Sequence, residues 1–183
     1  MGGAVYMNSK WTKPMSYVGD TLVCAELIGN DGMVKTVERP YFAFAYDYSM
    51  LQKTKELVLD ATFRLTKQSV VEVQHRAEEA FAYRKQTQPF GVATCGCFFR
   101  NISKKEQETH HLATKSAGYL IDQCGLKGFS IGDFSVSPVH ANFIVNAKGT
   151  TARPEDLKKL ATIIKHKVYK KFGIELHEEV EVM

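Results

Sequence analysis

The sequence is poor in the features that mark membrane, secreted and nucleic-acid-binding proteins. No apolar run approaches the roughly 20 residues that a membrane-spanning helix needs, so no membrane association is expected. The N-terminus lacks the basic segment and apolar core of a secretory signal, and we expect a cytoplasmic protein. The net charge is only +4, and the basic residues are scattered apart from residues 165–171, so no nucleic-acid partner is expected.

Cysteine is also scarce, and its four copies form no disulfide or metal pattern. They are Cys24, Cys95, Cys97 and Cys124. A chain of 183 residues, of which 44% are hydrophobic, can build a core without disulfides, so reduced thiols are expected. A zinc site could combine Cys95 and Cys97 only with His110 and His111. One residue between the cysteines is too tight for a zinc knuckle, and adjacent histidine side chains diverge, so no metal site is predicted.

The first part of the chain, residues 1–66, is predicted to be mostly sheet. Residues 21–28 and 33–37 are rich in β-forming side chains, and the Gly-Asn-Asp-Gly sequence between them indicates a hairpin turn. Residues 56–65 form another predicted strand. Its alternation with a period of two places five apolar residues on one face: Leu57, Leu59, Ala61, Phe63 and Leu65.

The second part, residues 67–183, is predicted to be a self-contained α+β unit. Helices are predicted over residues 69–86, 112–123 and 154–172, and strands over residues 129–135, 141–146 and 174–182. Ser69 and Glu72 have the spacing of a capping box at the first helix, and Pro154 stands in the first turn of the third. The first helix carries Val70, Val73, Ala77, Ala80 and Phe81 on one face, and the third carries Leu157, Leu160, Ala161, Ile164 and Val168.

Three short segments contain residues that could carry chemistry. In residues 95–101, Cys97 follows a glycine and precedes Arg100 and Asn101, which is compatible with a thiol acid or nucleophile. Two small core residues in a turn are the alternative. His140 and Asn142 share one face of a predicted strand, which indicates either the floor of a ligand site or a solvent-facing edge.

The third segment lies near the C-terminus. Alternation places Glu179 on the same side as His177 and opposite Glu178. A carboxylate in that position could take part in acid–base chemistry. A simply solvated side chain is the alternative.

Taken in order, a series of motifs from Gly2 to the end resembles the UDP-N-acetylenolpyruvoylglucosamine reductases of bacterial peptidoglycan synthesis. The motifs are Gly-Gly-Ala-Val-Tyr-Met-Asn at 2–8, Phe-Ala-Tyr-Asp-Tyr-Ser at 44–49, Tyr-Arg-Lys-Gln-Thr-Gln-Pro at 83–89, Cys-Gly-Cys-Phe-Phe-Arg-Asn at 95–101, Ala-Gly-Tyr-Leu-Ile-Asp at 117–122, Gly-Leu-Lys-Gly at 125–128 and the run 140–146. The strand 56–65 follows the second motif almost at once, which is similar to the shorter of the family's two architectural types.

The resemblance implies a partial FAD-binding domain over residues 1–66 and a complete substrate-binding domain over residues 67–183. In this family a flavin reduced by NADPH passes hydride to the enolpyruvyl double bond of a UDP-sugar, and a side-chain acid protonates the neighbouring carbon. By resemblance Cys97 is the proton donor and Glu179 helps to stabilise the intermediate. The implied substrate-binding residues are Tyr46, Lys85, Asn101 and His140, and the implied flavin-binding residues are Gly2, Gly3, Ala4 and Asn8.

The sequence departs from the family pattern in two respects. Asp47 stands where the family has an arginine that pairs with the substrate carboxylate, so any cation must come from elsewhere, with Arg39 and Lys53 the nearest candidates. The family's residues before the Gly-Gly-Ala segment, including the loop for the flavin pyrophosphate, have no counterpart, and Ser9-Lys10-Trp11 replaces a small-residue continuation. Two alternatives to an active reductase chain follow. The chain is either a non-catalytic member that binds a UDP-sugar or a protein partner, or one half of a split enzyme whose partner chain supplies the missing flavin-binding half.

Overall fold

The computed structural model describes residues 1–12, 15–146 and 151–180. The chain divides into two units, Met1–Ser69 and Val70–Met183. Each unit has its own hydrophobic core. Among the described residues, no helix combines the length and the apolar character needed to cross a membrane.

The first unit is built around a three-stranded antiparallel sheet. Its elements are α1 (Gly2–Tyr6), β1 (Lys10–Thr12), β2 (Met15–Tyr17), β3 (Leu22–Ile28), β4 (Val34–Glu38), α2 (Leu51–Thr54) and β5 (Leu57–Phe63), with 3-10 turns at Val18–Asp20 and Arg39–Phe42. The strand order is β4-β3-β5, and β1 and β2 form a separate hairpin. The predicted hairpin around residues 29–32 is confirmed as β3 and β4. The two short helices were not predicted.

Strand β5 contradicts the predicted alternation, because it contains a β-bulge. Leu27 pairs with Val58 and Glu26 with Asp60, so Leu59 is an extra residue without an opposite partner. Directly paired residues share a face, and Leu27 is fully buried, so Val58 rather than Leu59 points to the core. Of the five residues predicted on one face, Ala61 and Phe63 pack against the core, whereas the other three are exposed. The exposed residues are Leu57 (66%), Leu59 (55%) and Leu65 (81%).

The core of the first unit lies between this sheet and the short helices. It consists of Val5, Leu22, Ala25, Leu27, Phe42 and Leu51. Burial of each leucine or phenylalanine contributes about 1.5–3 kcal/mol, so the two one-turn helices are held mainly by Val5 and Leu51 rather than by their own hydrogen bonds.

The second unit is α+β, as predicted. Its elements are α3 (Val70–Thr87), β6 (Ala93–Cys97), α4 (Lys104–Thr109), α5 (Ala117–Gln123), β7 (Ser130–Ile131), β8 (Phe134–Val136), β9 (Phe143–Asn146) and α6 (Pro154–Phe172). The strands form an antiparallel sheet in the order β6-β9-β8-β7. The helix predicted from Pro154 is confirmed, with Pro154 in its first turn and Gly173 closing it in the left-handed conformation at φ +68°.

Helices α5 and α6 cover one face of this sheet. The apolar stripe of α6 buries Leu160, Ala161, Ile164 and Val168, as predicted, while Leu157 is partly buried against the same core. Strand residues Val136 and Ile144 join this core from the sheet. The helix-covered face is therefore the one on which Val136 and Ile144 lie.

Several boundaries in the second unit differ from the predictions. Helix α5 begins only at Ala117, where the Ser116 hydroxyl accepts a hydrogen bond from the Tyr119 backbone, and the separate helix α4 was not predicted. Residues 130–136 form two strands joined at Gly132 rather than one. For the predicted strand 174–182, the described residues contain only an isolated bridge between Phe99 and Glu178, and residues 181–182 lie outside the described part.

Helix α3 has the predicted length, and its apolar face is exposed. None of its described side chains is buried, and Val70, Val73 and Phe81 are 79%, 47% and 55% exposed. An apolar stripe shows only that a face can be buried, whereas the surface that covers it is set by tertiary packing. The sequence therefore identifies the apolar face of α3 but not whether another surface covers it.

Candidate functional site

A β-bulge in β6 decides which way the two cysteines of the Cys-Gly-Cys segment point. Thr94 pairs with Val145 and Cys97 with Phe143, so β6 uses three residue steps where β9 uses two. Gly96 takes φ +91°, a conformation that glycine adopts at no steric cost. Because Ile144 faces the helices, its neighbours Phe143 and Val145 face the opposite side, and Cys97 lies there with Phe143.

Cys95 lies on the helix side instead. It lines a small cavity with Phe134, Ile144 and Leu157. Cys95 is exposed at the edge of this cavity, where partial desolvation raises the pKa of its thiol and the negative charge of Glu179 raises it further. Cys95 is thus held as a neutral thiol on one face, while Cys97 is half-buried on the face that α5 and α6 leave uncovered.

The backbone after Cys97 runs between two other segments of the chain. The Phe98 N–H donates to the Asn142 carbonyl at 2.7 Å, and the Glu179 N–H donates to the Phe98 carbonyl at 2.8 Å. The Arg100 N–H donates to the His177 carbonyl at 2.8 Å. These bonds bring the end of β6, the turn before β9 and the C-terminal segment together around Cys97.

The side chain of Asn142 holds the backbone of Phe99 in this arrangement. Its Oδ1 accepts a hydrogen bond from the Phe99 N–H at 3.0 Å, and its Nδ2 donates to the Phe99 carbonyl at 2.8 Å. The side chain is 3% exposed. The prediction that His140 and Asn142 share a strand face is wrong, because β9 begins only at Phe143 and residues 140–142 form a turn closed by the Phe143 N–H on the His140 carbonyl.

His140 is half-buried beside this turn. Its Nδ1 accepts a hydrogen bond from the Asn142 N–H at 3.2 Å, and the centroids of the His140 and Phe143 rings lie 4.8 Å apart. Burial lowers the pKa of His140, and the charge of Lys127 lowers it further. The neutral ring therefore carries its proton on Nε2, which makes Nε2 a hydrogen-bond donor. A side chain at Gly118 would come within 3.0 Å of the His140 ring, so the small residue in α5 makes room for it.

The other two predicted substrate-binding residues of this unit occupy different surroundings. The Asn101 Oδ1 accepts a hydrogen bond from the Ala117 N–H at 3.1 Å, which ties the loop after Cys97 to the first turn of α5. Lys85 is exposed in the last turn of α3. The structure therefore brings Cys97, Asn101, His140 and Glu179 into one connected region and places Lys85 on a separate helix.

In the first unit, Tyr46 and Asp47 form the centre of a tight turn. Ala45 and Tyr48 pair across it, and Asp47 takes φ +49°. Aspartate tolerates this left-handed conformation better than residues with longer side chains. The Gln52 Nε2 donates to the Asp47 carbonyl at 2.9 Å, which fixes the turn to α2.

A cation that the sequence did not identify lies on this turn. The Lys10 Nζ is 3.4 Å from the Asp47 Oδ1 and 3.7 Å from the centroid of the Tyr46 ring. Burial by itself lowers the pKa of Lys10, but the hydrogen bond with Tyr46 and the charge of Asp47 outweigh it, so the pKa lies above the usual lysine value. Of the two cations expected from sequence proximity, Arg39 donates from its Nε to the Gly19 carbonyl at 2.6 Å, and Lys53 lies in the last turn of α2.

The Gly2–Asn8 segment consists of α1 and a following turn that contacts the Tyr46–Asp47 turn. Asn8 is buried at φ +47°, with its Nδ2 donating to the Ala45 carbonyl at 2.9 Å and its Oδ1 accepting from the Gly19 N–H at 3.0 Å. The buried Ser49 hydroxyl donates to the Tyr6 carbonyl at 2.7 Å. The Nδ2 end of the Asn8 amide thus holds the segment to the Tyr46–Asp47 turn, and the Oδ1 end holds it to the 3-10 turn at Val18–Asp20.

Sequence reasoning missed two features: the position of Lys10 and the hydrogen bonds of Asn142 to the Phe99 backbone. The only sequence signal for Lys10 is that it stands where the resembled family has small residues. Its partner lies 37 positions away, so no local pattern connects the two. Among the described residues, no group of three or more histidine, cysteine or acidic side chains is arranged to hold a metal ion.

Comparisons with known proteins find the same family over the whole chain. The family described as "UDP-N-acetylenolpyruvoylglucosamine reductase, C-terminal domain" matches residues 88–183. Reductases of this name from Bacillus pumilus and Bacillus licheniformis are 33% and 35% identical over all of this chain, which covers 56% and 92% of their lengths. The crystal structure of the Thermus caldophilus reductase is 31% identical with a TM-score of 0.76, covering 99% of this chain and 59% of that one. The chain thus spans about half the length of most of these relatives.

Proposed function

This chain belongs to the family of UDP-N-acetylenolpyruvoylglucosamine reductases, and we propose that it supplies the substrate-binding domain and part of the flavin-binding domain of such an enzyme. The reaction is the FAD-dependent, NADPH-linked reduction of UDP-N-acetylglucosamine enolpyruvate to UDP-N-acetylmuramate for peptidoglycan synthesis. Residues 1–66 are assigned to the flavin-binding domain and residues 67–183 to the substrate-binding domain. The names of the relatives and the division of the chain after Ser69 support this assignment.

The observation that carries the proposal is the direction of Cys97. The bulge at Gly96 turns this thiol away from the α5–α6 core, beside the turn of His140 and the segment of Glu179. Reduction of the enolpyruvyl double bond adds hydride to one carbon and a proton to its neighbour. A thiol has an ordinary pKa of about 8.5, far below that of an alcohol, and is therefore a competent proton donor. We assign this role to Cys97.

The remaining residues bind and orient the substrate. His140, with its proton on Nε2, donates a hydrogen bond to the nucleotide sugar, and Asn101, Lys85 and Tyr46 complete its contacts. Glu179 stabilises the intermediate, and its backbone bond to Phe98 holds it at the end of the Cys97 segment.

The described residues fit part of a flavin site. At Gly3 of α1, a Cβ would meet no heavy atom within 4 Å, so the backbone there is open to a planar ligand. We assign Gly2, Gly3 and Ala4 to the flavin contact, with Asn8 holding the segment in place. When bound, the flavin supplies the hydride. We assign the other flavin contacts to the part of the full-length relatives that this chain does not span.

The proton-donor role is tested with this chain joined to the part of the Bacillus pumilus reductase that it does not span. Turnover is followed as NADPH oxidation in the presence of the enolpyruvyl substrate. Cys97→Ala is expected to lower kcat by a factor of about 100 or more, and Cys97→Ser to retain part of the activity. Cys24→Ala is the matched control, because this thiol lies on β3 of the first unit. Wild-type turnover in Cys97→Ala would exclude the role.

A second candidate function is favoured by Asp47. A carboxylate at this position repels an anionic substrate, which suits a non-catalytic family member that holds a UDP-sugar. Calorimetry of the chain with UDP-N-acetylglucosamine, beside the turnover assay, separates the two functions. Binding without turnover in the joined protein supports the second candidate, and turnover excludes it.

A further inference from the structure

We propose that Lys10, held in place by Asp47 and Tyr46, is the cation that binds the substrate carboxylate in this chain. The proposal rests on the proposed function and adds to it a substrate-binding residue at a position where the resembled family has a small side chain. It also gives Asp47 a role, as the residue that positions Lys10.

The chemistry of the proposed substrate calls for such a cation. An enolpyruvyl group is a carbon–carbon double bond conjugated to a carboxylate. When hydride adds to the terminal carbon, the electron pair of the double bond moves to the neighbouring carbon and is shared with the carboxylate oxygens. The carboxylate therefore carries more negative charge until that carbon takes a proton. A fixed cation stabilises this charge where it develops.

Lys10 can bind the substrate carboxylate because it is held in place and remains accessible. An ammonium group has three N–H donors, of which Asp47 accepts one at 3.4 Å and the Tyr46 ring lies 3.7 Å from the nitrogen. The side chains of Lys10 and Asp47 are 25% and 24% exposed. A second carboxylate can thus bind to Lys10 without displacing the first.

The surrounding structure keeps this pair in one position. Asn8 ties the backbone near Lys10 to Gly19 and to Ala45, and Gln52 holds the Asp47 carbonyl. A site fixed before substrate binds loses less entropy on binding. The pKa of Lys10, raised by Tyr46 and Asp47 against the effect of burial, keeps the ammonium charged over the neutral range.

Two other cations of the first unit have different partners. The Arg39 Nε donates to the Gly19 carbonyl at 2.6 Å, and the Lys35 Nζ lies 2.6 Å from a Glu56 carboxylate oxygen. In the described part of this unit, Lys10 is the cation that the ion-pair geometry places on the Tyr46–Asp47 turn.

The test compares two ligands that differ in the carboxylate. The joined protein described above is titrated calorimetrically with the enolpyruvyl substrate and with UDP-N-acetylglucosamine, which lacks the enolpyruvyl group. The measured quantity is the ratio of the two Kd values, so a general loss of structure cancels. In the wild-type protein we expect the enolpyruvyl substrate to bind more tightly.

Lys10→Met keeps the length of the side chain but removes its charge. It is expected to abolish the preference for the enolpyruvyl substrate and to lower kcat by about 100-fold, while the Kd for UDP-N-acetylglucosamine stays unchanged. Lys10→Arg should keep most of the preference, because it retains the charge. Lys35→Met, which removes a cation paired with Glu56, is the control and should behave as wild type.

Each of the other outcomes contradicts either the role of Lys10 or the proposed function. A preference retained in Lys10→Met overturns the role of Lys10 and leaves the proposed function intact, provided that the joined protein turns over. Equal weakening of both ligands in Lys10→Met shows a structural role and also overturns the proposal. A wild-type joined protein that binds neither ligand and oxidises no NADPH overturns the proposed function and this inference with it.

Discussion

Replacement of Asn142 by alanine is expected to loosen the backbone next to Cys97. The amide side chain satisfies both the N–H and the carbonyl of Phe99, at 3.0 and 2.8 Å, and is itself 3% exposed. A buried backbone group left without its partner costs about 1–3 kcal/mol. Loss of both bonds should therefore destabilise this region by about 2–6 kcal/mol.

The effect is local and should be measured locally. Amide hydrogen exchange on the whole chain, followed by NMR, reports the opening of each backbone bond. Since about 1.4 kcal/mol corresponds to a factor of ten, the Phe99 amide should exchange roughly 30- to 20,000-fold faster in Asn142→Ala. The Arg100 amide, which donates to the His177 carbonyl, should change less.

Asn30→Ala serves as the control, because Asn30 is exposed in the β3–β4 turn of the first unit. It should leave the Phe99 amide at its wild-type rate. If Asn142→Ala also leaves that rate unchanged, Asn142 does not hold the Phe99 backbone and the prediction is wrong.

Two further predictions concern the first unit. Val58→Ser should cost about 1–2 kcal/mol of unfolding free energy because Val58 packs on the core, whereas Leu59→Ser should change it by less than about 0.5 kcal/mol. Urea unfolding measures both, and equal costs would contradict the bulge. Burial by itself raises the pKa of Glu56, but hydrogen bonds from Lys35 and Tyr41 outweigh it, and the net pKa is lowered. The stabilisation is therefore present above the ordinary glutamate pKa of about 4.3 and is lost as pH falls through the folded-state value. Glu56→Gln should flatten the acid side of the melting-temperature profile, and an unchanged profile would argue against this contribution.

Elements with signals inside a few consecutive residues were predicted well from the sequence. Pro154 and the glycine after Phe172 mark both ends of α6, and the Gly-Asn-Asp-Gly turn marks the β3–β4 hairpin. Helix α4 shows the limit of this approach. It has a capping box between Ser103 and Glu106, but its six residues carry no apolar stripe, so the box alone did not identify it.

Features that depend on a partner strand or a distant segment were not predictable. The bulge at Leu59 exists only relative to the pairing of β5 with β3, and a period of two assigned the wrong face. The ion pair between Lys10 and Asp47 joins positions 37 residues apart. The candidate site was therefore predicted as a set of residues, whereas its geometry depends on contacts that no local pattern records.

The bulge in β6 determines the face of the sheet on which Cys97 lies, because side chains alternate between the two faces along a strand. Between Thr94 and Cys97 there are three steps along the chain, but the opposite strand advances by two. Without the bulge, three steps of strict alternation would place Cys97 on the face opposite to Thr94, toward α6, even though the thiol itself is unchanged. With the bulge, Thr94 and Cys97 both lie on the face away from α6, because they pair with Val145 and Phe143. The number of residues in this short segment therefore matters as much as their identity, and a redesign that grafts Cys97 onto another sheet must copy the length as well as the side chains.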